Sequence, residues 1–151
     1  MITFENTVFI ERPIEEVFAF LADLQKIPKW NYYVRSVTPT SVETAVGSTY
    51  HQVRKSDEQD LRIASIEWNR SLVIETIPPS RPELRREMTF QAQDGGTRIV
   101  DRWRLNVGVP RLLKPLAAKR AEAGVVQNLG KLKVLLETGR ATLQDGRAVS
   151  L

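Results

Sequence analysis

Cysteine is absent from these 151 residues, and histidine occurs once, at His51. The chain therefore has no disulfide framework and no thiol nucleophile, and one imidazole without thiolates leaves no structural zinc set. Long apolar runs are missing too: none approaches the roughly 20 residues that a membrane span requires. The opening Met1-Ile2-Thr3-Phe4-Glu5-Asn6 lacks a basic stretch followed by an apolar one, so a cytoplasmic protein without stable membrane insertion is expected. There is no Gly-x-Ser-x-Gly elbow, phosphate-cradling loop or metal-ligand cluster. Hydrolase, nucleotide and metal chemistry thus have no sequence support, and no cofactor is expected. Neither an internal repeat nor a low-complexity segment is present.

Charge of one sign is only mildly in excess, 22 basic against 18 acidic side chains for a net +4. The charges are scattered. Alternation puts Arg98, Arg102 and Arg104 on one strand face with Val100, which reads as a solvated outer surface, and no nucleic-acid-binding signature accompanies them. The length fits one domain, which buries about two-thirds of its unfolded surface.

What is present is an order of elements. Phe4, Val8 and Ile10 alternate with polar residues, predicting a half-buried strand over residues 2–10. Pro13 suits the first turn of a helix, Glu15 and Glu16 suit its positive end, and Ile14, Val17, Phe18 and Leu21 make one apolar stripe. A second short helix or turn is expected from Asp23 to Pro28. Strands follow at 32–38, 48–55, 61–68, 72–77, 84–93 and 97–107, separated by Gly47, Asp57-Glu58, Asn69-Arg70 and Pro78-Pro79. A hairpin is expected at Asp94-Gly95-Gly96-Thr97. Its predicted register sets Ala92 opposite Ile99, Phe90 opposite Asp101, Met88 opposite Trp103 and Arg86 opposite Leu105, which puts the apolar residues on one face.

A long helix is predicted from near Val109-Pro110 to Glu137, kinked or restarted at Pro115 and stopped at Gly139. Ala118, Ala121, Val125, Leu129, Leu132 and Leu136 form its sheet-facing stripe. Small residues come first and leucines last, which predicts tight packing at the C-terminal end and room above the sheet nearer the N-terminal end. Gly124 and Gly130 each cost about 1 kcal/mol relative to alanine, so a close contact or local bend is expected there. The tail from Arg140 to Leu151 reads as polar and loosely held.

The first strand, the Pro-Ile-Glu-Glu-Val-Phe-Ala-Phe-Leu helix, Pro28-Lys29-Trp30, Gly47-Ser48-Thr49-Tyr50, Gly95-Gly96-Thr97-Arg98 and the long last helix together resemble the START-like or SRPBCC superfamily, and most of all its polyketide cyclase/dehydrase and lipid-transport branch. The resemblance covers residues 1 to about 138. This sets residues 1–138 as the domain and 139–151 as a polar tail. It implies an α+β helix-grip fold in which a seven-stranded antiparallel sheet curves around the C-terminal helix. Two small helices close one end and leave an apolar cavity. Members bind sterols, lipids, plant hormones or polyketides, and some catalyse cyclisation or dehydration.

Asp101 is the sharpest candidate for chemistry, because the hairpin faces it inward, where a carboxylate must be paired, hydrogen-bonded or shifted upward in pKa. It is either a general acid or base for an enolisable carbonyl, or a structural ion pair or carboxylate at the wet end of the cavity. In the predicted register Arg86 lies about 13 Å along the strand, so Arg120, Tyr50 or Arg54 is the expected partner. Trp30, Tyr32, Tyr50, Met88, Phe90 and Trp103 either line an apolar pocket or fill the core. Arg86 and Arg120 are candidate anchors for a ligand carboxylate or phosphate, or else exposed charges. His51 is expected at the surface or rim. The leading expectation is a binding or transport protein for a small hydrophobic ligand of lipid, aromatic or polyketide type, monomeric or homodimeric. The alternatives are a cyclase or dehydratase that uses Asp101 without metal or nucleotide, and a protein-interaction module.

Overall fold

Alternating apolar and polar residues build most of this chain into strands. The computed structural model describes residues 1–42 and 44–151. Strands β1 (Ile2–Ile10), β2 (Val34–Pro39), β3 (Thr49–Arg54), β4 (Glu58–Glu67), β5 (Ser71–Thr76), β6 (Glu83–Gln93) and β7 (Gly96–Asn106) form one antiparallel sheet. Their spatial order is β1-β7-β6-β5-β4-β3-β2, so only β1 is displaced from its sequence neighbour. Between β1 and β2 lie helix α1 (Ile14–Ala22) and a 3-10 helix (Leu24–Lys29). The long helix α2 (Lys114–Thr138) follows β7 and a 3-10 turn at Arg111–Leu113. This is the α+β helix-grip arrangement that the sequence implied.

Helix α2 starts later than the sequence suggested, at Lys114 instead of Val109-Pro110. Pro115 falls in its first turn, where the missing N–H has no helical acceptor to satisfy, so the helix begins there without a kink. It ends as expected at Gly139, which takes φ 82° and donates its N–H to the Leu135 carbonyl at 2.8 Å.

The core lies between the inner sheet face, α1 and the second half of α2. Ile10, Val17, Phe18, Ile63, Leu72, Ile99, Leu132 and Leu135 are sealed within it. The Phe18 and Phe90 rings meet edge to face at 4.9 Å. The C-terminal end of α2 is also tied to β1 by polar contacts. Glu137 accepts the Glu11 N–H and the Lys133 ammonium, each at 2.7 Å, and Lys133 also donates to the Phe9 carbonyl.

Two further expectations are corrected. In the β6–β7 hairpin Met88 faces Asp101, Arg86 faces Trp103 and Phe90 faces Ile99, a shift of two residues from the predicted register. The turn is Asp94-Gly95, with φ 50° and 77°, a left-handed pair that suits Asp-Gly. Gly96 is instead a strand residue in close contact with β1. A Cβ there would stand 2.6 Å from the Ile10 carbonyl oxygen. The tail, in turn, is a hairpin, β8 (Arg140–Thr142) with β9 (Ala148–Ser150), and buries Ala141 and Leu143. Arg147 donates to the Pro28 carbonyl at 3.0 Å and Lys29 to the Ser150 carbonyl at 2.9 Å, tying the tail to the 3-10 helix.

Candidate functional site

Between the sheet and the first half of α2 the packing stops. A cavity of about 430 Å³ opens there, bounded on the helix side by Arg120, Ala121, Gly124, Val125 and Asn128. Small side chains leave this space because they do not reach the sheet as the later leucines do. The sheet contributes Val34, Gln52, Arg54, Gln59, Leu84, Trp103 and Leu105, and the loops add Asn31, Tyr33, Pro82 and Val107. The size and largely apolar wall suit a small organic molecule.

Tyr33 closes one side. Its ring lies over Gly124, so that a Cβ at position 124 would meet Tyr33 Cε2 at 3.3 Å. That close contact accounts for one of the two helix glycines, whereas Gly130 faces open space. Tyr32 does not line the cavity. Its ring packs against Tyr33 at 5.0 Å and beneath the Lys55 ammonium at 3.7 Å. Lys55 in turn reaches Asp145 of the tail at 3.6 Å, so the C-terminal hairpin braces the tyrosine pair.

The polar groups of the wall are mostly satisfied from within. Gln52 donates to Gln59 at 3.0 Å, and Gln59 donates to the Arg81 carbonyl at 2.8 Å. Arg54 is held by both oxygens of Asp57 at 2.6 Å. Among the described residues no carboxylate lines the cavity. Arg120 makes no ion pair or side-chain hydrogen bond among the described residues. The site is thus a largely apolar chamber with the exposed guanidinium of Arg120 at its edge, unpaired among the described residues.

Asp101 lies outside the lining and is wholly buried, at 0% exposure. Its partner is Arg86, a correction to the expectation of Arg120, Tyr50 or Arg54. The guanidinium donates to the two carboxylate oxygens at 2.8 and 2.7 Å, and the Trp103 indole donates to one of them at 2.9 Å. The two-residue register shift is the cause. It makes Arg86 a diagonal neighbour of Asp101, within reach of a long side chain. The guanidinium also lies 5.2 Å from the Trp30 ring and 4.6 Å from the Trp103 ring. Buried ion pairs of this kind hold their place because every charge finds a partner.

Of the other residues singled out from sequence, Trp103 and Arg120 line the cavity, while Trp30, Tyr50, Met88 and Phe90 are part of the packed core. His51 faces outward as expected. It meets Asp60 at 2.9 Å and Glu58 at 3.4 Å, and these two acceptors, Asp60 foremost, raise its pKa above the ordinary value. Among the described residues no cluster of His, Asp or Glu is placed to hold a metal ion, and no helix is long and apolar enough to cross a membrane. Sequence reasoning missed Tyr33, Gln59, Leu84, Leu105 and Asn128 as wall residues. Only the run of small residues on α2 signalled where they would meet.

Solved structures share this fold at low identity. DR_A0006 from Deinococcus radiodurans is 18% identical with a TM-score of 0.69, over 91% of this chain and 98% of that one. The Aha1 dimer from Colwellia psychrerythraea is 13% identical with a TM-score of 0.67, over 92% and 98% of the two chains. DynU16, from the dynemicin biosynthetic locus, is 19% identical with a TM-score of 0.73, and 97% of this chain spans 51% of its length. No curated protein sequence is significantly similar. The sequence model of one family, described as polyketide cyclase / dehydrase and lipid transport, matches residues 1–137, and the chain belongs to that family.

Proposed function

We propose that this protein binds a small, mainly apolar molecule bearing one anionic or acceptor group, with the apolar body between sheet and helix and the polar end at Arg120. The observation that carries this reading is the pairing of an apolar chamber with a single cation that has no partner among the described residues. A guanidinium recognises carboxylate or phosphate through its fork of donors, and among the described residues no carboxylate of the wall competes for it. Asp101 and Arg86 serve in this reading to fix Trp103 against the ligand.

Native mass spectrometry of the freshly purified protein, compared with its denatured mass and followed by solvent extraction, tests it. A released amphipathic adduct that disappears in Ala121→Phe is expected. If neither an adduct nor binding of long-chain or aromatic carboxylates is found, the reading fails. The family description and the biosynthetic setting of DynU16 support a second reading, a cyclase or dehydratase of the same cavity. It has to draw on a carboxylate at Asp101 whose oxygens are already engaged. Turnover of a polyketide-like substrate that is lost in Asp101→Asn, in protein that keeps its fold, would establish it.

A further inference from the structure

The chain entering α2 presents a cluster of large apolar side chains to solvent. Leu112, Leu113 and Leu116 are 93%, 51% and 49% exposed, three large apolar side chains within five residues. The 3-10 turn at Arg111–Leu113 runs into α2 through helical backbone at Leu113 and Lys114, which puts Leu112 and Leu116 one turn apart on the same side. Arg111, Lys114, Lys119 and Arg120 are interleaved with them, and no acidic residue occurs between Val107 and Ala121. Met1 joins the patch. Its side chain is exposed, and the charge of Lys114, aided by a hydrogen bond to it, pushes the Met1 amine below its ordinary pKa. The segment is bracketed by residues of the cavity wall, Val107 before it and Arg120 and Ala121 after it.

Exposed leucines mixed with cations and free of acids have the composition of an element that lies in a bilayer interface, where apolar side chains enter the headgroup region and cations meet lipid phosphates. We infer that residues 107–120 dock this protein reversibly on an anionic lipid surface, through Leu112, Leu113 and Leu116 with Arg111, Lys114 and Lys119, so that the cavity opens toward the bilayer. Charge complementarity selects the anionic surface. The preference for a bilayer over an acidic protein groove rests on the proposed apolar ligand, which a bilayer stores.

Sedimentation with vesicles tests the inference. Wild-type protein is expected to pellet with phosphatidylcholine vesicles containing phosphatidylglycerol, to pellet little with phosphatidylcholine alone, and to be released by salt. The double variant Leu112→Ser/Leu116→Ser is expected to bind roughly tenfold more weakly. Lys114→Glu should weaken binding by about fivefold or more. Leu112 and Leu116 are exposed, so the double variant should melt like wild type; Lys114 is half-buried beside the Met1 amine, and the exposed Lys119→Glu replaces Lys114→Glu if that variant melts lower. Ala121→Phe, which blocks the cavity, is expected to pellet like wild type, which separates this inference from the ligand reading. No pelleting of the wild type, equal pelleting of the leucine variant, or loss only in Ala121→Phe would overturn it. Salt-sensitive binding to an acidic protein without vesicle binding would overturn it as well.

Discussion

The two halves of α2 lie over the same sheet and do opposite things. In the second half Leu129, Leu132 and Leu136 reach the strands and exclude solvent, and Glu137 and Lys133 tie the helix end to β1. In the first half Ala121 and Gly124 leave a chamber of about 430 Å³, with Arg120 at its wall. The strands beneath both halves are continuous. Core and container therefore differ here by side-chain volume along one helix, and a buried layer marks the boundary, with Arg86 paired to Asp101 between Trp30 and Trp103.

Breaking that boundary layer is expected to have the largest effect. Asp101→Ala strands a buried guanidinium and should cost about 3–5 kcal/mol of stability in chemical denaturation. Next comes the closed half, where Leu132→Ala opens a cavity in a site with no exposure and should cost about 2–5 kcal/mol. The open half should respond in the reverse sense. Ala121→Phe fills empty space, so stability is expected to change by less than about 1 kcal/mol while ligand affinity falls about tenfold or more. Gly124→Ala sharpens the contrast further. Alanine gains about 1 kcal/mol in helix propensity, and the half-exposed Tyr33 ring gives way to the new methyl group. A slightly higher melting temperature with an altered rate of ligand uptake is expected.

The smallest effect lies away from both halves. His51 has a raised folded-state pKa, so its contribution to stability is fully present below its unfolded value of about 6.5 and is lost as pH rises through the raised value. Thermal melts across that window should show a shallow decline that His51→Gln flattens.

The strands, their order of appearance and the position of open space were legible because alternation and residue size act locally. The hairpin register was not. Its faces repeat every two residues, so a shift of two preserves every inward side chain, and only turn chemistry separates Asp94-Gly95 from Gly95-Gly96. The identity of Asp101's partner went with it. The wall was harder still, because aromatic residues at strand spacing fill a core as readily as they line a pocket. Trp30, Tyr50, Met88 and Phe90 took the first course. For the tail a signal was available: Ala141 and Leu143 are spaced for one strand face, and Asp145-Gly146 follows as a turn.

The three tryptophans occupy three different environments. Trp103 is at the cavity wall against a guanidinium, Trp30 is buried on the same guanidinium, and Trp68 is 57% exposed and touches Phe18 at 5.1 Å. The molecule therefore carries its own optical probe. Ligand entry should alter the intrinsic fluorescence of Trp103, while Trp68 reports on the surface and Trp30 on the interior. A Trp68→Phe variant would lower the background emission and let occupancy be followed without a label.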